Sequence, residues 1–473
     1  MLLRNCKGAI ATLLGIRIQP GKLKDRMQVL TCCLFFALAG FLMGQAPTKA
    51  STPLPNVIII LADDMGYGGL SCYDNPYFKT PEIDRLASEG LLLRDFHANG
   101  TVCTPTRAAL MTGRYPHRSG CHVVINADRS HVDHRRGMPD QEWTLAEALK
   151  EGGYTTAIFG KWHLGYKPEF NPIRHGFDQF NGFISGNIDA HSHYDRVLVK
   201  DWWQNQEVQD EPGYHTDLIT EHTIRFIRQN KDRPFFIYAA HGTPHDPHQA
   251  RGSKILRGPE SGNVPTWGDQ GIYYTKNPKD ENWLIKHFVL PLDEGVGRIC
   301  RELDLLGLAE NTVVWFISDN GGTKGNYSTS PMTRGGKASL YEGGHRVPGI
   351  VWAPGRILPG ASSELIVGMD IMPTTLALAK IQPPEEIKLD GIDVGPALFQ
   401  SRPLPERAVL WEKNGKGALR VGSWKLVRNE LYNLTEDPQE KQNLAQHYPE
   451  RVRHMQKERE AIFEAAMLES PYD

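Results

Sequence analysis

The chain has 473 residues, with 53 Lys and Arg against 55 Asp and Glu and a formal net charge of −2. That balance excludes the basic footprint of a nucleic-acid binder and the charge excess of a disordered tail. Hydrophobic residues at 40% and charged residues at 23% are those of a globular protein with a large core, and 46 Gly with 32 Pro predict many loops.

Residues 1–50 read as a leader. Arg4, Lys7, Arg17, Lys22, Lys24 and Arg26 precede an uncharged apolar run at residues 29–43, followed by Gly44, Ala46 and Ala50. This is the order of a secretory signal peptide, and the run is short for a membrane span. The expected mature chain is exported, to a periplasmic, extracellular or lumenal space, and has no stable membrane span. Three of the seven cysteines fall in the leader; Cys72, Cys103, Cys121 and Cys300 remain, too few for a disulfide framework.

Beyond the leader, short apolar runs alternate with helical patterns. Residues 56–61 (NVIIIL) predict a strand buried on both faces, and residues 80–89 a helix with Thr80 as N-cap and Pro81 at its first position. Thr144 and Glu147 form a capping box before a helix that stops at Gly152. Strands are expected at 155–159, 234–240 and 312–318, and helices at 220–230 and 283–306, the last interrupted by Pro291. Such alternation predicts an α/β fold, a mostly parallel sheet flanked by helices on both faces. After residue 400 the pattern changes to short antiparallel strands at 408–411 and 418–428 and a charged helix at 448–466. The expected organisation is a catalytic α/β domain at 51–400 and a small α+β subdomain, an antiparallel sheet plus helix, at 401–473.

Four expected strands run into polar residues: Asp63 and Asp64; Lys161 and His163; His241 and His245; Asp319 and Asn320. In open α/β sheets, ligands bind beyond the carboxyl ends of the strands. Oxygen donors such as Asp63, Asp64, Asp319 and Asn320 suit Ca²⁺ or Mg²⁺ rather than zinc. Arg107, Lys161 and Lys337 would admit an anion to such a shell. The constellation predicts metal-assisted hydrolysis of an anionic ester and leaves phosphate and sulfate equally open.

C-T-P-T-R at 103–107 followed by A-A-L-M-T-G at 108–113 places Cys103 near a helix N-terminus, where anions are favoured. A thiolate phosphatase loop needs five residues between its Cys and Arg, and here there are three. The motif resembles the signature of the type I sulfatases, in which the cysteine becomes formylglycine (3-oxoalanine). L-A-D-D-M-G at 61–66, T-P-E-I-D-R-L at 80–86, G-K-W-H-L-G at 160–165, S-D-N-G-G at 318–322, G-G-K at 335–337 and Y-E-G-G at 341–344 resemble further family motifs in order.

The resemblance implies an alkaline-phosphatase-like sheet and a Ca²⁺ held by Asp63, Asp64, Asp319, Asn320 and the modified Cys103. It further implies that Arg107 holds the formylglycine, that Lys161 and Lys337 neutralise sulfate oxygens, and that His163 sits against the hydrate. His245, in a Pro-His context, matches the second active-site histidine, with His241 the runner-up. His245 or Lys337 would serve the leaving oxygen, and His163 would take a proton from the hydrate's second hydroxyl so that sulfate is expelled. Cys103→Ser lacks that exit.

Two departures stand out. Gly69 replaces a frequent family Asp, and the family's auxiliary serine has only Ser185 as a weak counterpart. A stretch with Asp189, His191, His193, Tyr194, Asp195, Trp202 and Trp203, and with His248 and Trp267 beyond it, suits stacking on a sugar or an aryl ring or is ordinary loop surface. Residues 167–178 resemble the arylsulfatase and galactosamine-6-sulfatase branches. The expected partners are a sulfated small molecule or sulfated glycan and a formylglycine-generating maturation enzyme. The rival readings are a phosphoesterase or phosphonate monoester hydrolase of the same superfamily, and an inactive binder of sulfated glycans.

Overall fold

In the computed structural model, which describes residues 53–261, 278–323 and 328–472, the apolar runs form strands buried on both faces. The leader and Trp267 lie outside the described residues. The strands are β1 (Asn56–Ala62), β2 (Leu91–Leu93), β3 (Phe96–His97), β4 (Thr155–Lys161), β5 (Gln179–Phe183), β6 (Trp203–Gln204), β7 (Glu207–Val208) and β8 (Phe235–Ala240). They continue with β9 (Thr312–Ser318), β10 (Gly349–Trp352), β11 (Gly360–Ser362), β12 (Ile366–Val367), β13 (Ala408–Lys413), β14 (Lys416–Val421), β15 (Trp424–Val427) and β16 (Glu430–Asn433).

Ten strands form one sheet in the order β11-β2-β10-β9-β1-β8-β4-β5-β6-β7. Its centre is parallel: Ile59 of β1 sits opposite Tyr238 of β8 and Trp315 of β9. β10 runs antiparallel to β9 and to β2. Because side chains alternate along a strand, β1 sends Val57, Ile59 and Leu61 into one apolar layer and Ile58 and Ile60 into the other. The first layer includes Leu110 and Met111 of helix Cys103–Thr112, Leu145 and Leu149 of helix Leu145–Glu151, and Leu376 of helix Ile371–Ala379. The second includes Ile83 of helix Pro81–Glu89, Ile219 of helix His215–Gln229 and Leu292 of helix Pro278–Leu305. A third apolar cluster joins the antiparallel sheet β13-β14-β15-β16 to helix Pro449–Met467 through Trp411, Leu419, Leu426 and Met455.

Three local expectations change. Thr80 does not cap its helix, because its hydroxyl is engaged by Ser71 and Asp84; the Asp293 carboxylate accepts from the Glu82 and Ile83 N–H groups at 3.3 and 2.8 Å instead. The helix expected at 220 begins at His215, where Thr216 and Ile219 are already buried. The expected strand at 418–428 is two strands, since Gly422 takes a left-handed φ of 55° and turns the chain back, pairing Val421 with Trp424. Cys72, Cys103, Cys121 and Cys300 are free thiols. Among the described residues no helix is long and apolar enough to cross a membrane.

Candidate active site

The carboxyl ends of β1, β4 and β9 and the segment after β8 deliver Asp63, Asp64, Lys161, His163, Asp319, Asn320 and His245 to one place, and helix Cys103–Thr112 points its first residue there. Asp63, Asp64, Arg107, Lys161, Asp319 and Asn320 are all 0–1% exposed. Ligand atoms of Asp63, Asp64, Cys103 and His245 lie within 4.8 Å of one another.

Each cation is tied to a carboxylate. Lys161 Nζ donates to Asp63 Oδ2 at 2.6 Å, and Lys337 Nζ to Asp64 Oδ2 at 2.7 Å, 3.7 Å from Cys103 Sγ. Arg107 donates through Nε and a terminal nitrogen to Asp319 Oδ2 at 3.1 and 2.8 Å, and through its other terminal nitrogen to the Lys161 carbonyl at 2.9 Å. Burial pushes Asp63 well above the usual carboxylate range, with Asp319 adding to it, despite Lys161 and Arg107. Burial acts the same way on Asp319, but there Arg107 and Lys161 outweigh it and hold the group low. Lys337 is pushed up, because Asp64 and Cys103 outweigh its burial, and stays protonated.

The Cys103 thiol is pushed up to about 12, chiefly by burial, which Lys161 and Lys337 only partly offset. A nucleophilic cysteine needs the reverse, so the unmodified thiol is a poor nucleophile here.

His163 Nε2 donates to the Ile125 carbonyl at 3.0 Å, which leaves Nδ1 as the bare nitrogen, and that atom has no hydrogen-bond partner. Burial, with Lys161 and Arg107 nearby, keeps the ring neutral by driving its pKa well down. His245 Nδ1 donates to the Asp246 carbonyl at 2.7 Å, so the neutral ring turns a bare Nε2 towards Asp64, 3.7 Å away. His241 is fully buried at the end of β8, with neither ring nitrogen partnered and its pKa lowered to about 3 by burial alone. It is His245, not His241, that stands against the cluster.

Asp64, His163 and Ala338 hold left-handed φ values of 66°, 53° and 71°. Such strain at non-glycine residues persists where surrounding structure enforces it and collects at functional sites. Gly186 packs on the His163 ring so closely that a Cβ would lie 3.0 Å from Cε1. Gly69 is equally constrained: a Cβ there would meet Met65 Cγ at 2.4 Å, so the loop has no room for the Asp expected from the resemblance.

Several neighbours left no mark in the sequence. Tyr238 of β8 places its hydroxyl 3.4 Å from Arg107, a polar atom inside an otherwise apolar run. Asn187 Nδ2 lies 3.4 Å from His245 Nδ1, and its Oδ1 accepts from buried Arg257 at 2.9 Å. Ser185, already named as the weak counterpart of the family's auxiliary serine, is buried and donates to the Asn187 carbonyl at 3.1 Å. The aromatic stretch is largely scaffold. His193 stacks on buried Trp202 at 4.5 Å, and Asp189 accepts from the N–H groups of His191, Ser192, Leu256 and Arg257. Buried Asn99 uses its Oδ1 on the Met369 N–H at 2.6 Å.

The donor set fits a hard dication. It consists of buried carboxylates and an Asn320 Oδ1 that has no hydrogen-bond partner, and oxygen ligands of this kind suit Ca²⁺ or Mg²⁺.

A model of the Sulfatase family matches residues 55–381. The chain is 35% identical over 405 residues to N-acetylgalactosamine-6-sulfatase of Sus scrofa, covering 81% of this chain and 73% of the relative. It is 34% identical over 415 residues to arylsulfatase A of Homo sapiens, covering 81% and 76%. The crystal structure of Ps i-CgsB in complex with k-i-k-neocarrahexaose superposes with a TM-score of 0.76 at 29% identity, covering 86% of this chain and 92% of that one. The chain therefore belongs to the sulfatase family, and its activity is that of a sulfuric ester hydrolase.

Proposed function

We propose that this chain is an exported sulfatase that cleaves a sulfate monoester of a carbohydrate, using formylglycine made from Cys103 and a bound Ca²⁺, with Mg²⁺ the second choice. Residues 51–400 carry the chemistry, residues 401–473 form a subdomain, and residues 1–50 direct export. A formylglycine-generating enzyme converts Cys103. The observation that carries the reading is the meeting of Cys103, Asp63, Asp64 and His245 within one ligand sphere, ringed by Arg107, Lys161 and Lys337. The name of the N-acetylgalactosamine-6-sulfatase relative and the carbohydrate bound to Ps i-CgsB support a sugar substrate.

Asp63, Asp64, Asp319 and Asn320, with the modified residue 103, would hold the metal. A bound dication there supplies positive charge that lowers the pKa of an attacking hydroxyl. Hydrated formylglycine supplies that hydroxyl and a second one through which sulfate can be released.

The remaining work falls to the chain's own side chains. Three carboxylates and three cations cancel, so a dication leaves the site with net positive charge that draws an anionic ester. Lys161 and Lys337 face the sulfate oxygens. Lys337, held protonated, gives a hydrogen bond or proton to the leaving oxygen, a role that His245 with its bare Nε2 fills less well. His163, neutral and with Nδ1 open, takes the proton that frees sulfate. Burial keeps bulk water out and strengthens every one of these interactions.

The test is hydrolysis of a matched aryl sulfate and aryl phosphate by converted protein, before and after chelation. The expected result is a strong preference for sulfate, loss of turnover on chelation and recovery with Ca²⁺. Preference for phosphate, or turnover indifferent to chelation, would overturn the reading.

A further inference from the structure

A second cation stands beside Lys337. Lys413 ends β13, and its Nζ donates to the carbonyl of Ala338, the residue after Lys337, at 3.3 Å. It forms no ion pair with any described residue. The adjacent acid is committed elsewhere: one Glu412 oxygen accepts from His117 Nε2 at 3.1 Å and the other from the Gly415 N–H. Burial and the Lys337 charge both push the Lys413 ammonium below its ordinary range. Like charges left close together without a carboxylate to offset one of them are costly, and an anion settling between them removes the cost.

We propose that Lys413 forms a second anion subsite beside the scissile sulfate, taking a further sulfate or carboxylate of the same sugar, so that the enzyme selects doubly anionic substrates. This rests on the sulfatase reading above. It also gives the C-terminal sheet a part in substrate choice, since Lys413 comes from the β13–β14 hairpin. Lys413 is a specificity residue: its hydrogen bond goes to the Ala338 carbonyl, next to Lys337, and not to a side chain of the reacting cluster.

The experiment compares a monosulfated amino sugar, the same sugar with two sulfates, and a monosulfated disaccharide carrying a uronate carboxylate. The converted, Ca²⁺-loaded enzyme is assayed as wild type, Lys413→Gln and Lys413→Arg. Lys413→Gln should lower the kcat/KM ratio of doubly to singly anionic substrate roughly tenfold, the size of one charge-assisted hydrogen bond. The change should fall in KM, and Lys413→Arg should keep most of the ratio. Whichever doubly anionic sugar loses more identifies the second group as sulfate or carboxylate. Calorimetric Kd values for the disulfated sugar should show the same loss. An unchanged ratio and an unchanged Kd in Lys413→Gln would overturn the subsite. If wild type turns over none of these esters, the hydrolase reading falls by itself, and the Kd comparison still decides the subsite.

Discussion

Among the described residues the reacting cluster can be set beside another buried cluster of mixed charge, and their hydrogen-bond accounts differ. The second joins Asp95, His97, Glu342, His345, Arg420, Lys425 and Glu440, where the C-terminal sheet meets the chain around β3. Lys425 Nζ donates to Glu342 Oε1 at 2.9 Å and to His345 Nε2 at 3.1 Å. That fixes the rest: His345 Nδ1 donates to His97 Nδ1 at 2.9 Å, and His97 Nε2 donates to Asp95 Oδ1 at 2.9 Å. Arg420 closes the chain on Asp95 at 2.9 and 2.6 Å. Ligand atoms of His97, Glu342 and His345 lie as close together as those of the reacting cluster, yet Lys425 already supplies their cation.

This second cluster leaves only the carboxylate oxygens Glu342 Oε2 and Glu440 Oε1 without a hydrogen bond, and these lie 3.7 and 2.9 Å from Arg346 and Lys425, whereas in the reacting cluster a ring nitrogen, His163 Nδ1, and Asn320 Oδ1 have no partner. A buried network whose ring nitrogens all find partners acts as a brace, and one that leaves atoms open is equipped to bind and react. Trp411 reinforces the brace, stacking on His345 at 4.0 Å and donating to the Ala98 carbonyl ahead of Cys103.

Mutation should separate the two clusters sharply. Cys103→Ala should cost on the order of 10⁴-fold or more in kcat/KM, as deletion of a nucleophile does, with a melting temperature close to wild type by calorimetry. Lys425→Met should do the opposite. Removing one partner of a buried ion network costs about 3–5 kcal/mol, read as a lowered denaturation midpoint, while the specific activity of the folded fraction stays close to wild type.

Metal removal comes next in size. Ca²⁺ at about a hundred times its Kd adds ~2.7 kcal/mol, so a chelator should lower the melting temperature and abolish turnover together. Lys425→Met should keep that metal-dependent shift; losing it would mean the two clusters are not separate.

The most gradual effect is with pH. Burial holds His97 and His345 below the ordinary 6.5, and their neighbouring cations add to the shift. The unfolded chain therefore binds protons that the folded chain refuses. The stability these rings contribute is whole above pH 6.5 and falls as pH drops below it, by about 1.4 kcal/mol per pH unit for each ring while uptake lasts. His97→Gln with His345→Gln should flatten that slope in urea titrations between pH 7 and about 5. An unchanged slope would show that the rings are already charged in the fold.

The contrast also explains what the sequence disclosed. β1, β4, β8 and β9 are buried on both faces and so appear as apolar runs, and a polar residue at the end of such a run is conspicuous: Asp63, Lys161 and Asp319 were visible for that reason. Lys337 follows no strand; it could be named as a cation able to admit an anion, but its place in the site was given by the family motif. The brace was invisible, because its members come from separate segments and each passes for a surface charge until the fold brings them together. The short strands β2, β3, β6, β7, β11 and β12 went unread because runs of two or three residues carry no periodicity. In the aromatic stretch composition alone left stacking surface and scaffold open, and the fold shows that His193 and Trp202 pack on each other.

The most direct test of the central claim is the mass of the tryptic peptide spanning residues 95–107, from protein isolated from its native host. The mass of an aldehyde or its hydrate at Cys103 is the predicted result. An unmodified thiol would contradict the account, because a thiol has no second hydroxyl through which sulfate can be released.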